Sequence, residues 1–308
     1  MGHMKTKPSR FKGQVSDVDL RMLRIFRKVV ECGGFSAAEV ELNISRAAIS
    51  IAMADLETRL GLRLCQRGRS GFSLTDEGSR VYDYSLQLLS ALEDFRTQVN
   101  ALHAQLKGEL NIGITDNLVT MPHMRITNAL KALKGQGAEV NYHIRMSPPN
   151  EIELGVLEGR LHLGVVPELK PLSGLEYRSL YEEQSLLYCS SNHPLFRVPE
   201  GQLTEAMIRG QEAVVPSYAQ SPEIRSRYQP FKASATATDR EGVAFLILSD
   251  CYIGYLPSHF AQRWVSEGRM QVLLPERYHY NTRFAAITRK GGRANLVLDT
   301  FLKILEST

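Results

Sequence analysis

Apolar residues recur at three- and four-residue steps through most of the first hundred positions, the signature of helices that bury one face. Leu20, Leu23, Phe26 and Val30 form one such face, opened by Ser16 with Asp19 and closed at Gly33-Gly34. A serine with a carboxylate three residues on satisfies two orphan amides of a first turn, so a helix is predicted to begin there. The same logic applied to Ser36 and Glu39 predicts a short second helix, broken at Asn43-Ile44. Ser45 is then predicted to cap a third, along which Ala48, Ile49, Ala52, Met53, Leu56 and Leu60 keep the helical spacing. Past Gly61 the period changes to two. Arg63 to Arg67 and Phe72 to Thr75 alternate like short strands, with Gly68-Arg69-Ser70-Gly71 as the hairpin loop between them. Thr75 is predicted to cap a long helix on which Leu88, Leu92, Phe95, Val99, Leu102 and Leu106 step alternately by four and three, ending at Lys107-Gly108. So narrow a seam calls for a second copy of the same helix.

From residue 109 the pattern alternates short apolar runs with helical stretches. Glu109 to Thr115, Val140 to Met146 and Leu161 to Val166 read as strands of an open α/β sheet, with ligands expected at their carboxyl ends. Leu180 to Cys189 is predicted to cross into a second lobe containing strands at Ala213 to Tyr218 and Tyr252 to Pro257. Arg283 to Thr288 returns the chain, and a helix from Leu296 to Leu305 closes it. Thr115-Asp116-Asn117 is expected to cap the helix after the first strand, and Ser147-Pro148-Pro149-Asn150 to open another. Together with Ser217 and Tyr218, these turns place hydroxyls and backbone amides where a small polar molecule could bind, and equally where turns need caps. Asp116 facing the cleft unpaired would favour an amine; as a cap it carries no such information. His162, at a strand position, is assigned no role.

Two helices joined by a tight turn, the second small and polar at its start, have the layout of a helix-turn-helix, whose second helix enters the major groove by its N-terminal end. A hairpin directly after it reads as a wing whose arginines reach phosphates or the minor groove. The candidate DNA contacts are Ser36, Ser45, Arg46, Ala47 and Ser50, with Arg67 and Arg69 in the wing. A helical corner of another kind, or solvated hairpin charges, would use the same residues.

Composition narrows the field. A chain of 308 residues is about two domains' worth, and a net charge of +4 suits a local nucleic-acid contact on a protein with a second task. Gly2-His3-Met4 looks like an expression scar, and the basic arm after it has neither signal-peptide nor anchor character. Cys32, Cys65, Cys189 and Cys251 are scattered, so no zinc site, other metal, cofactor or disulfide framework is expected, and a cytoplasmic location fits. Cys65 lies near Arg67 and Arg69, but lone cysteines are mostly small hydrophobes. GxSxG, P-loop and HExxH patterns are missing, which argues against an enzyme.

The run LRMLRIFRKVVECGGFSAAEVELNISRAAIS, followed by LETRLGLRLCQRGRSGFSLTDEG, resembles the N-terminal signature of LysR-type transcriptional regulators. His193-Pro194-Leu195 and Tyr252-Ile253-Gly254-Tyr255-Leu256-Pro257 are similar to segments of the same family. The resemblance implies an all-α winged helix-turn-helix, a linker helix, and a two-lobed α/β effector domain of the type 2 periplasmic-binding-protein kind. The boundaries expected are 1–14 for the scar and arm, 15–75 for the DNA-binding domain and 76–107 for the dimerisation helix. The effector domain takes 108–308, with lobe I at about 108–181 and 283–308 and lobe II at about 182–282. Implied partners are double-stranded DNA carrying an inverted-repeat operator, a small-molecule effector, a homodimer or homotetramer, and RNA polymerase; no membrane is implied. The chain departs from the family pattern at Arg46, where glutamine is common, and at Ile51-Ala52, where Arg-Gln is common. Arg46 suits a bidentate bond to guanine. The competing readings are an α/β ligand-binding protein or an enzyme carrying a DNA-binding head, and a transporter's solute-binding protein.

Overall fold

In the computed structural model the described residues are 14–68, 71–102, 106–292 and 295–307, and they fall into two compact units, Met1–Phe95 and Arg96–Thr308.

The first unit is built on α1 (Asp17–Glu31), α2 (Phe35–Leu42) and α3 (Arg46–Leu60), followed by the hairpin β1 (Cys65–Gly68) and β2 (Gly71–Leu74). The capping box at α1 forms: Ser16 N donates to Asp19 Oδ2 at 2.8 Å, and Asp19 N to Ser16 Oγ at 3.4 Å. The buried face of α1 is Met22, Leu23, Ile25, Phe26 and Val29, while Leu20 and Val30 at its margins are half-buried. Phe26, Ala38, Ile49, Met53, Leu56 and Leu64 close the core.

The capping box expected of Ser36 and Glu39 does not form. Gly33 and Gly34 take φ of 71° and 149°, and the helix starts at Phe35, with Gly34 as a cap that offers no side chain. Phe35 is drawn into the core against Phe72, ring centroids 5.9 Å apart, which leaves Ser36 exposed inside the first turn. Glu39 Oε1 instead accepts the Arg46 amide at 3.1 Å, tying α2 to the start of α3. Ser45 caps α3 by accepting from Ala48 N at 3.2 Å. Gly68 and Gly71, predicted as loop, pair with each other as the last residue of β1 and the first of β2. Arg69 and Ser70 of the predicted loop lie outside the described residues.

Thr75 caps α4 (Asp76–Leu102), accepting from Gly78 N at 2.8 Å. A Cβ at Gly78 would sit 1.8 Å from the Leu64 carbonyl oxygen, so no other residue fits this contact. The helix is shorter than its periodicity predicts. Lys107 and Gly108 already belong to a strand, and Leu106 packs against the core of the second unit. Gly108 has φ 153° and lies so near Thr97 that a Cβ would stand 2.3 Å from its hydroxyl, a constraint between distant positions that periodicity does not register.

The second unit contains β3 (Lys107–Ile114), α5 (Arg125–Gly135), β4 (Glu139–Met146), α6 (Pro149–Leu157), β5 (Leu163–Pro167) and β6 (Leu175–Ser190). Then come α7 (Glu205–Arg209), β7 (Glu212–Pro216), α8 (Pro222–Tyr228), β8 (Lys232–Ala237), α9 (Arg240–Leu248) and β9 (Gly254–Pro257). It closes with α10 (Ser258–Ser266), β10 (Met270–Val272), β11 (His279–Arg289) and α11 (Leu296–Ser307). The sheet order is β10-β6-β11-β5-β3-β4, with β9 also paired to β6; β3 is parallel to β4 and β5. β5 is buried at every position, as a continuous apolar run between two neighbours should be.

Two lobes follow from two sets of cores. Leu110, Ile112, Leu133, Val165, Phe284 and Phe301 pack in one. Leu187, Ile208, Ile253 and Tyr255, with Val214, Ile247 and Trp264 in an adjoining cluster, pack in the other. β6 and β11 pair antiparallel along both lobes, with a register shift at Phe284/Ala285. The segment predicted to cross at Leu180 is thus the second half of a strand already running from Leu175. His162 Nδ1 accepts the Asn111 amide at 3.0 Å, a structural position.

Candidate functional site

In the first unit, Ser45, Arg46 and Ala47 are exposed at the amino end of α3 and Ser50 is half-buried one turn on. A helix start presents free amides and the positive end of its dipole, so this turn suits a phosphate-lined groove. The Arg46 backbone is fixed by Glu39 while its side chain stays exposed, and Ile51, further along α3, is exposed as well. Ser36 is exposed on α2. The backbone of Arg67 lies in β1; its side chain and all of Arg69 lie outside the described residues. An unforeseen clamp sets α3 against α1: Arg59 Nη2 donates to Asp19 Oδ2 at 2.8 Å, with Asp19 buried. The Arg59 and Ser16 hydrogen bonds hold the Asp19 carboxyl well below the ordinary carboxylate range. Cys65 is buried, its Sγ 3.9 Å from Glu57 Oε1.

In the second unit a cavity of about 260 Å³ opens between the lobes. Of the six residues expected there, Thr115, Asp116, Ser147 and Tyr218 line it. Asn117 and Ser217 do not. Asn117, at φ 64°, turns the chain into a short 3₁₀ segment, Leu118–Thr120, without a side-chain capping bond, and its side-chain Nδ2 donates to Asp116 Oδ2 at 3.0 Å. Ser217 points into its own lobe and donates to the Ala237 carbonyl at 3.0 Å. Ser147 does not cap α6, whose N-cap is Pro148. Met146, Leu169, Ile224 and Tyr280 supply apolar wall.

Asp116 is neither unpaired nor a cap. Its Oδ1 accepts from Arg240 Nη1 at 2.7 Å and its Oδ2 from the Arg240 amide at 2.8 Å, so a carboxylate of one lobe holds the first residue of α9 in the other. Arg240 Nη2 donates to Glu183 Oε1 at 3.0 Å, Glu183 Oε2 meets His259 Nε2 at 3.0 Å, and His259 Nδ1 meets Thr120 Oγ1 at 2.7 Å. This line of polar groups runs from β3's carboxyl end through the strand joining the lobes and back. Burial opposes the Arg240 charge, but Glu183 and Asp116 outweigh it and raise the guanidinium pKa. The guanidinium lies 5.7 Å from the Tyr218 ring centre and 5.8 Å from that of Phe284. Burial raises the Tyr218 and Tyr280 hydroxyls, keeping both protonated. Thr115 Oγ1 is buried with no hydrogen-bond partner among the described residues. Sequence reasoning missed Arg240, Glu183, His259, Thr120 and Tyr280, because their partners are 52 to 139 positions away and no local spacing marks them. Among the described residues no cluster of three or more His, Cys, Asp or Glu side chains could hold a metal ion, and no helix is long and apolar enough to cross a membrane.

A helix-turn-helix with a hairpin wing, joined by a long helix to a two-lobed α/β unit with an interlobe cleft, defines a ligand-responsive DNA-binding regulator. Residues 20–79 match the bacterial regulatory helix-turn-helix proteins of the lysR family, and residues 103–308 match the LysR substrate binding domain. The chain belongs to the LysR family of DNA-binding transcriptional regulators. It is 59% identical over 291 residues to the HTH-type transcriptional activator BauR of Pseudomonas aeruginosa, covering 94% of this chain and 95% of that protein. With the probable HTH-type transcriptional regulator LrrA of Synechococcus elongatus it shares 29% identity over 238 residues, 77% of this chain and 76% of LrrA. Its fold matches the crystal structure of full-length CbnR complexed with target DNA, with a TM-score of 0.66 and 19% identity over 94% of this chain and 98% of CbnR.

Proposed function

We propose that this regulator activates transcription from an inverted-repeat operator when a small metabolite enters the interlobe cleft and changes how two DNA-binding heads sit on the DNA. Activation is inferred from the name of the relative with 59% identity. The observation that carries the sensing role is the Asp116–Arg240 contact across the cleft. A ligand shifts a conformational equilibrium only by binding one arrangement better than another, and this contact gives the two lobes a preferred arrangement. Thr115, Asp116, Ser147 and Tyr218 are the effector contacts of this reading; Ser45, Arg46, Ala47 and Ser50 read bases, while Ser36, Arg67 and Arg69 hold the backbone. The active form is a cytoplasmic homodimer or homotetramer built on α4, in contact with RNA polymerase and without enzymatic activity. The domains divide at residues 75, 107 and 181, with the return at 283.

The test is a thermal-shift screen of metabolites, since a ligand that binds only the folded protein raises its melting temperature. It is followed by footprinting of the operator with each hit. A hit that leaves the footprint unchanged would overturn the sensing role.

A further inference from the structure

The second lobe carries another recess, of about 420 Å³, that the effector cleft does not use. It is walled by Glu205 and Arg209 of α7, Arg227 of α8, Tyr255 of β9, and Arg277 and Tyr278 just before β11. Its charge is unbalanced. The single carboxylate of Glu205 accepts from both Arg209, at 3.0 Å, and Arg277. Glu223, the other acid of the wall, is engaged by the Ser221 hydroxyl, which lowers its pKa. Arg227 has no ion-pair partner among the described residues, so three guanidiniums face two carboxylates.

The second observation is independent of charge. Tyr255 and Tyr278 are 3% and 7% exposed, and the hydroxyl of each is buried with no hydrogen-bond partner among the described residues. An unmade hydrogen bond at a buried hydroxyl is costly, and two in one wall beside surplus guanidinium are a donor set without its acceptor. Acceptor-only groups that suit both hydroxyl and guanidinium donors are oxyanions. The Tyr255 ring also lies 5.2 Å from Tyr280, which lines the effector cleft, so one ring contact connects the two cavities.

We propose that this recess binds a small metabolite through an oxyanion, a phosphate or a carboxylate, to which Arg227 and the hydroxyls of Tyr255 and Tyr278 donate. The test is calorimetry on the full chain with inorganic phosphate and, separately, succinate, each at ionic strength held constant with chloride. Saturable binding of at least one is expected; phosphate alone assigns a phosphoryl ligand, and succinate alone a carboxylate. Arg227→Ala should weaken that binding by about tenfold or more. Tyr255→Phe and Tyr278→Phe should each weaken it by about fivefold while melting at or above the wild-type temperature without anion, because no existing bond is lost. Two results would overturn the proposal: no saturable binding of either anion, or wild-type affinity in both Arg227→Ala and Tyr278→Phe.

Discussion

Asp116 and Arg240 stand 124 positions apart and meet twice across the cleft, side chain to side chain at 2.7 Å and side chain to backbone amide at 2.8 Å. The second bond matters as much as the first, because it fixes the start of α9 and not only a mobile guanidinium. Asp116→Asn keeps the shape and removes the charge. It should lower stability by about 2 kcal/mol, and a double-mutant cycle with Arg240→Gln should return a coupling of the same size. Urea melts of the four proteins measure it; additive losses would show that the pair does not hold the lobes together.

Arg46 carries the DNA prediction. With its amide held by Glu39 and its side chain exposed, Arg46→Ala should cost about 1–3 kcal/mol at one base position and relax preference there. Binding measured against an operator library decides this. Equal weakening on every sequence would reassign Arg46 to the phosphate backbone.

The proposed assembly helix is α4. Phe95 and Val99, one turn apart, are 62% and 39% exposed, an apolar pair that a second copy of the helix would cover. Phe95→Glu with Val99→Glu should yield monomers in light scattering and lose operator affinity, since one head reads one half-site. A retained oligomer would place the interface elsewhere.

Acid should loosen the DNA-binding unit through Asp19. Its pKa is lowered in the folded state from an ordinary value of 3.8, so its contribution is complete above that value and is lost as pH falls toward the folded pKa. Wild type should therefore exceed Asp19→Asn in stability by a constant margin near neutrality, shrinking below about pH 4. Denaturant melts from pH 7 to pH 3 measure the margin; a pH-independent margin would remove the charge of Asp19 from the account.

Thr115 and Ser217 should separate. Thr115→Val removes a buried hydroxyl with no partner, so the unliganded protein should be as stable as wild type or more so, while effector affinity falls by about 1–2 kcal/mol. Ser217→Ala breaks a bond to Ala237 inside one lobe and should leave effector affinity unchanged. Calorimetry with an effector found by screening distinguishes them. An unaltered affinity in Thr115→Val would move the ligand away from β3.

Much of this protein is written in local patterns. Ser16 with Asp19, Ser45 before Ala48, and Thr75 before Gly78 each place a hydrogen-bond acceptor within three residues of its donor, so spacing alone locates α1, α3 and α4. The buried run of β5 likewise shows its place between two strands. Ser36 misled because its capping signal competed with Phe35, which the core captures one residue earlier. Past α4, Gly108 comes close to Thr97, and periodicity carries no information about that encounter. The cleft shows the same division. That Thr115, Asp116, Ser147 and Tyr218 follow strands, where ligand cavities form, was legible in sequence. That Asp116 faces Arg240, that Ser217 turns away, and that Glu183, His259 and Thr120 complete the line was decided by tertiary packing. A hydrogen bond requires two groups within about 3 Å, and in these cases the partners are 20 to 139 positions apart, so only the folded chain brings them together.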